Sequence, residues 1–76
     1  MQFYPNPVSD YLTLTWKETK ARRLALYDAT GRLAYNVHVG EDGHRIDMRG
    51  LAPGLYRLIV TEDDGRGVSV NIMKRN

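Results

Sequence analysis

Covalent catalysis needs a nucleophile, a base and a group that orients the base, and this sequence offers few candidates for the first two. Its serines are Ser9 and Ser69, neither set in a Gly-x-Ser-x-Gly elbow. Cysteine is absent, which removes thiol nucleophiles, disulfides, zinc–thiolate sites and iron–sulfur clusters together. The histidines are His38 and His44. His38 is predicted on the polar face of a strand and His44 beside a turn, both solvated surface positions; as zinc ligands they would need two further partners. Glu41-Asp42 and Asp63-Asp64 could clamp calcium if their turns met. Neither run has the EF-hand pattern, and carboxylates in hairpin turns usually only shape the turn. Gly65-Arg66-Gly67 lacks the spacing and the following helix of a phosphate loop. No cofactor, no metal and no catalytic residue are expected. The basic residues Lys17, Lys20, Arg22 and Arg23, with Lys74-Arg75 at the far end, lack aromatic interleaving, and the net charge is only +2, so nucleic acid is not an expected partner. The first cluster reads as solvated charge that opposes edge-to-edge strand pairing.

The elements that would carry any site come from alternation. The chain has 76 residues and 8.7 kDa, with 42% hydrophobic and 26% charged residues, so it makes one small globular domain. No run approaches the ~18 apolar residues of a membrane helix, and no secretory leader opens the sequence. Helical periodicity is missing; short runs of period two replace it. Leu12, Leu14 and Trp16 share one face of the first run, and Leu24 and Leu26 one face of the second. Leu33, Tyr35, Val37 and Val39 oppose Ala34, Asn36 and His38. Ile46 and Met48 follow. The run Leu55 to Thr61 is the most apolar and is expected to be central; Val68, Val70 and Ile72 close the series.

Turn chemistry separates these runs. Asp28-Ala29-Thr30-Gly31 has Asp first and Gly fourth, as a type I turn prefers. Asp63-Asp64-Gly65-Arg66 carries an Asp-Gly hairpin signal. Pro53-Gly54 fits the centre of a type II turn. Tyr4-Pro5-Asn6-Pro7 cannot be a central strand, because two prolines withdraw two donors. Turn spacing of about 8–12 residues predicts an all-β fold, an antiparallel β-sandwich. Tyr56, just past the Pro-Gly corner, stands where Greek-key sandwiches place a tyrosine corner, its hydroxyl bonding back to nearby main chain.

Four segments in order are Tyr4-Pro5-Asn6-Pro7-Val8-Ser9-Asp10-Tyr11-Leu12, Leu26-Tyr27-Asp28-Ala29-Thr30-Gly31-Arg32, Ile46-Asp47-Met48-Arg49-Gly50-Leu51-Ala52-Pro53-Gly54-Leu55-Tyr56, and Val70-Asn71-Ile72-Met73-Lys74. Each alone is weak; the series resembles the type A C-terminal sorting domain of the type IX (Por) secretion system of Bacteroidetes, over essentially the whole chain. The family-motif positions are Pro5, Asn6, Pro7, Asp28, Gly31, Pro53, Gly54 and Tyr56, to which a structural role is assigned.

The resemblance implies an immunoglobulin-like antiparallel β-sandwich with Greek-key topology and about six to seven strands. It implies a single C-terminal sorting domain over residues 1–76, excised from the end of a larger secreted protein, with the cleavage site upstream. It also implies a non-enzymatic signal that takes a fused upstream cargo through the periplasm and across the outer membrane to the cell surface or beyond. The partners so implied are the outer-membrane type IX machinery, which reads the domain, and a surface sortase-like protease, which commonly removes it before surface attachment. Ile72, Met73, Lys74 and Arg75 are the candidate translocon-recognition residues. A partner strand is expected to add to the free edge of the last strand, and a short amino-terminal strand is expected to leave an edge through which two copies form a homodimer. The competing expectation is a fibronectin-like accessory module that binds carbohydrate or protein for a secreted hydrolase. It requires an exposed aromatic platform from Trp16, Tyr11 and Tyr35.

Overall fold

The computed structural model describes residues 2–16, 22–40, 43–62 and 64–76. Among them are seven strands and no helix: β1 Gln2–Tyr4, β2 Tyr11–Thr15, β3 Arg22–Asp28, β4 Leu33–Val39, β5 Gly43–Asp47, β6 Gly54–Glu62 and β7 Gly67–Lys74. Lys17, Lys20, Glu41, Asp42 and Asp63, named above as candidate charge clusters, lie outside the described residues.

Alternation sets each strand's inward face, because successive side chains point to opposite sides of a sheet. Leu12 and Leu14 of β2, Leu24 and Leu26 of β3, Ile46 of β5, Leu58 of β6 and Ile72 of β7 are fully buried, together with Val8 and Met48 just outside the strands. Each such side chain contributes about 1.5–3 kcal/mol of burial. Since a one-residue slip would turn a whole strand's apolar set to solvent, the pattern also fixes register. Two antiparallel sheets result, in the orders β1-β2-β5 and β4-β3-β6-β7. Strand β6 is central, as its composition predicts. Non-sequential neighbours, β2 beside β5 and β3 beside β6, are the mark of Greek-key winding. The arrangement matches strands A-B-E facing C′-C-F-G in an immunoglobulin-like sandwich.

Three details depart from the alternation or turn reading. Leu33 and Val68 sit at apolar positions yet are 46% and 51% exposed. Leu33 follows a bulge between Leu26 and Tyr27 that pairs it with Tyr27, on the outer face, and Val68 lies near the start of β7, an outer strand of the wider sheet. Gly54 has φ +148°, not the about +80° of a type II turn. The tight turn comes earlier, where the Leu51 N–H donates to Met48 O at 3.1 Å, and Gly54 already opens β6. Arg22 is not solvated edge charge: it is buried, its guanidinium lies 4.7 Å over the Trp16 ring, and it meets Glu62 at 3.4 Å.

Two corners bear out their sequence signals. In the Asp28 turn, Oδ1 accepts from the Thr30 N–H, the Thr30 hydroxyl and the Arg32 N–H, at 2.9, 2.6 and 3.0 Å. Those bonds, the hydroxyl's foremost, hold the Asp28 carboxyl below its ordinary value. Gly31 closes the turn at φ +86°, a conformation that suits glycine. At the other corner the buried Tyr56 donates its hydroxyl to Ala52 O at 2.7 Å. It is a tyrosine corner at the start of β6.

Candidate recognition surface

Of the four candidate recognition residues, the structure exposes two. Ile72 is fully buried in the sandwich core, and Lys74 is 5% exposed, its ammonium donating to Arg75 O at 2.6 Å. Met73 is 44% exposed, and Arg75 is exposed. Strand alternation is the cause: β7 points residues 72 and 74 inward and leaves 73 to solvent.

The edge of β7 is less open than the sequence suggests. From Asn6, between the two prolines, residues 6–8 fold along it. The Asn6 amide Nδ2 donates to Asn71 O at 3.1 Å, and the Met73 N–H donates to Asn6 Oδ1 at 3.0 Å. Val8 continues the contact as a parallel bridge: its N–H donates to Met73 O, and its O accepts from the Arg75 N–H, both at 2.8 Å. One asparagine side chain thus imitates a strand residue, supplying donor and acceptor where Pro5 and Pro7 have no N–H to offer. Asn71 O, Met73 N–H, Met73 O and Arg75 N–H are taken, so a partner strand cannot add along that half of β7 without displacing the clasp. The half toward Gly67 and Ser69 keeps its outward main chain.

The family-motif positions fall into the places that hold this end together. Asn6 makes half of the clasp, with Pro5 and Pro7 on either side of it, Asp28 and Gly31 form the β3–β4 turn, and Pro53, Gly54 and Tyr56 the corner that launches β6 against β7. Sequence reasoning missed the clasp partner, because a contact between residues 6 and 73 spans almost the full chain. The one local hint is Val8, a lone apolar residue straight after two prolines.

The candidate chemical residues do not converge. Ser69 is on β7 and His38 on β4, opposite edges of one sheet, about 14 Å apart across three strand spacings. His44 is not a solvated surface residue: it is half-buried, and its Nε2 shares a 2.7 Å hydrogen bond with the Tyr35 hydroxyl, joining the two sheets. That partly buried position pushes the Tyr35 phenol upward. Among the described residues no three His, Asp or Glu side chains gather in a way that could hold a metal. The aromatic platform is not assembled either. Trp16 is 6% exposed, Tyr35 packs against His44 at 6.2 Å between ring centres, and Tyr11 is flanked by the guanidinium groups of Arg45 and Arg49 at 4.3 and 4.9 Å.

Comparison with known proteins agrees with this geometry. No curated protein sequence matches the chain. Among solved structures it is similar to PorZ of Porphyromonas gingivalis, described as an essential bacterial surface component of the type-IX secretion system, with 21% identity and a TM-score of 0.82. The alignment covers 99% of this chain and 11% of that one, so this chain spans about a tenth of PorZ's length. Identity that low shows a common fold. The family model described as the secretion system C-terminal sorting domain matches residues 2–74. A match over nearly the entire chain, on a sandwich whose last strand is bonded by Asn6 and Val8, makes this protein a member of the secretion system C-terminal sorting domain family.

Proposed function

We propose that the domain is a non-enzymatic handle for type IX export, read at the Met73–Arg75 end of β7, and that its upstream cargo crosses the periplasm before reaching the surface or the medium. The observation that carries this reading is the clasp. Four main-chain groups of the closing segment are bound to residues 6–8, so the tail is presented in one conformation and its recognition incurs little ordering cost. Ile72 and Lys74 act as anchors beneath it, while Met73 and Arg75 offer the side chains a translocon can touch. The finer steps, removal by a surface sortase-like protease and replacement by surface attachment, belong to the same proposal. Both suit a compact domain in which the candidate chemical residues, among those described, do not converge. Pairing between copies, where it occurs, runs along β4 or β5, since β1 offers three residues and half of β7 is covered.

The test uses the parent protein in a cell with type IX secretion. Removing the domain is expected to abolish export. The pair Met73→Glu and Arg75→Glu is expected to reduce it strongly while leaving the fold intact, because both side chains are exposed and their main-chain bonds survive. These substitutions are cleaner than deleting residues 74–76, which would strip out the buried Lys74 and a clasp bond. Export at the unaltered rate without the domain would end the proposal.

A further inference from the structure

The outer face of the four-stranded sheet holds an open depression of about 430 Å3, between the Asp28–Gly31 turn and strands β6 and β7. Tyr27, Leu55, Arg57, Ile59 and Asn71 line it. Register places Tyr27, Arg57 and Asn71 in one row across three strands, and sets Leu55 directly beside Met73. Leu55 is 46% and Met73 44% exposed, so two large apolar side chains lie together on an open face. Apolar patches rimmed by polar groups mark binding surfaces.

The charge in the depression is one-sided in its availability. Arg57 has no ion pair with any described residue. Asp28, at the rim, already spends Oδ1 on three bonds within its own turn. A guanidinium offers a planar fork of donors that matches a carboxylate, and its pairing strengthens when apolar neighbours exclude water. We propose that this depression docks a protein partner that presents a carboxylate flanked by aliphatic or aromatic side chains, the carboxylate on Arg57 and the apolar groups on Leu55 and Met73. The inference rests on the export reading and extends its contact surface from the tail onto β6.

The parent protein is expressed in a cell with type IX secretion, and export is measured for Arg57→Glu, Leu55→Asp and Arg57→Lys. The first two are expected to cut export about tenfold, the factor that ~1.4 kcal/mol of lost docking gives. Arg57→Lys keeps the charge and is expected to retain part of the export. Arg23→Glu, exposed on the same face but outside the depression, is expected to export normally. All three side chains reach the surface, and thermal unfolding of the isolated domain checks that each of the four variants folds. If Arg57→Glu and Leu55→Asp export normally while loss of the whole domain abolishes export, the docking site is wrong and the export role stands. If loss of the domain changes nothing, both fall. If the purified domain dimerises, and Arg57→Glu abolishes the dimer without affecting export, the occupant is a second copy and the proposal is overturned.

Discussion

Asn6→Ala isolates the clasp from everything else in the fold. The substitution removes two hydrogen bonds, Nδ2 to Asn71 O and Met73 N–H to Oδ1, and leaves the Val8 bridge in place. A typical intramolecular hydrogen bond is worth about 0.5–1.5 kcal/mol net. Both bonds are solvent-exposed, so water replaces the lost partners and the cost lies toward the low end, about 1–2 kcal/mol in total. In a domain this small each kcal/mol moves Tm by about 4–8 °C. The expected drop is therefore about 5–15 °C by circular dichroism. Native-state amide exchange adds the local readout: Met73 N–H, which loses its acceptor, is expected to exchange much faster, whereas Leu58 in the middle of β6 follows the global stability. Asn6→Asp keeps the acceptor for Met73 but sets a carboxylate against the Asn71 carbonyl, so it should protect Met73 better than alanine does. Unchanged Met73 protection and an unchanged Tm in Asn6→Ala would show that the closing strand holds itself and that the clasp reasoning is wrong.

Tyr56→Phe removes the hydroxyl bond to Ala52 O and is expected to cost about 1 kcal/mol, seen as a Tm lower by about 4–8 °C; no change would strip the corner of its role. Gly67→Ala places a Cβ 2.7 Å from Val60 O, a main-chain atom that cannot swing away. Urea titration is expected to show a loss of about 1–3 kcal/mol from that overpacking. The Arg49 side chain holds the Asp47 carboxyl down at about 2. A folded-state value below the unfolded 3.8 means that the stabilisation is full above pH 3.8 and disappears as pH falls through about 2. Acid titrations of wild type and Asp47→Asn should therefore diverge above that window and converge below it, and parallel curves would refute the pairing. At the alkaline end the raised Tyr35 phenol implies that stability declines as pH rises past 10, where the unfolded chain ionises first, and Tyr35→Phe should flatten that decline.

Local rules carried the sequence reading a long way, for identifiable reasons. Period-two alternation named Leu12, Leu14, Leu24, Leu26, Ile46 and Ile72 as core, because a half-buried strand must sort its side chains by face. Asp28 to Gly31 and Tyr56 announced their corners, since those conformations depend on residues a few positions apart. The four ordered segments also identified the family over the length the family model covers. What tertiary structure alone decided are contacts between partners far apart in the chain, Asn6 with Met73 and Arg22 with Glu62, and the bond from Tyr35 to His44, near in sequence but on different sheets. It also decided which edges are covered. Ile72 and Lys74 looked as available as Met73 and Arg75 until the strand was paired and its faces assigned. Leu33 carries a core pattern, but the bulge between Leu26 and Tyr27 pairs it with Tyr27 on the outer face, and the alternation of one run does not encode where its partner strand shifts register.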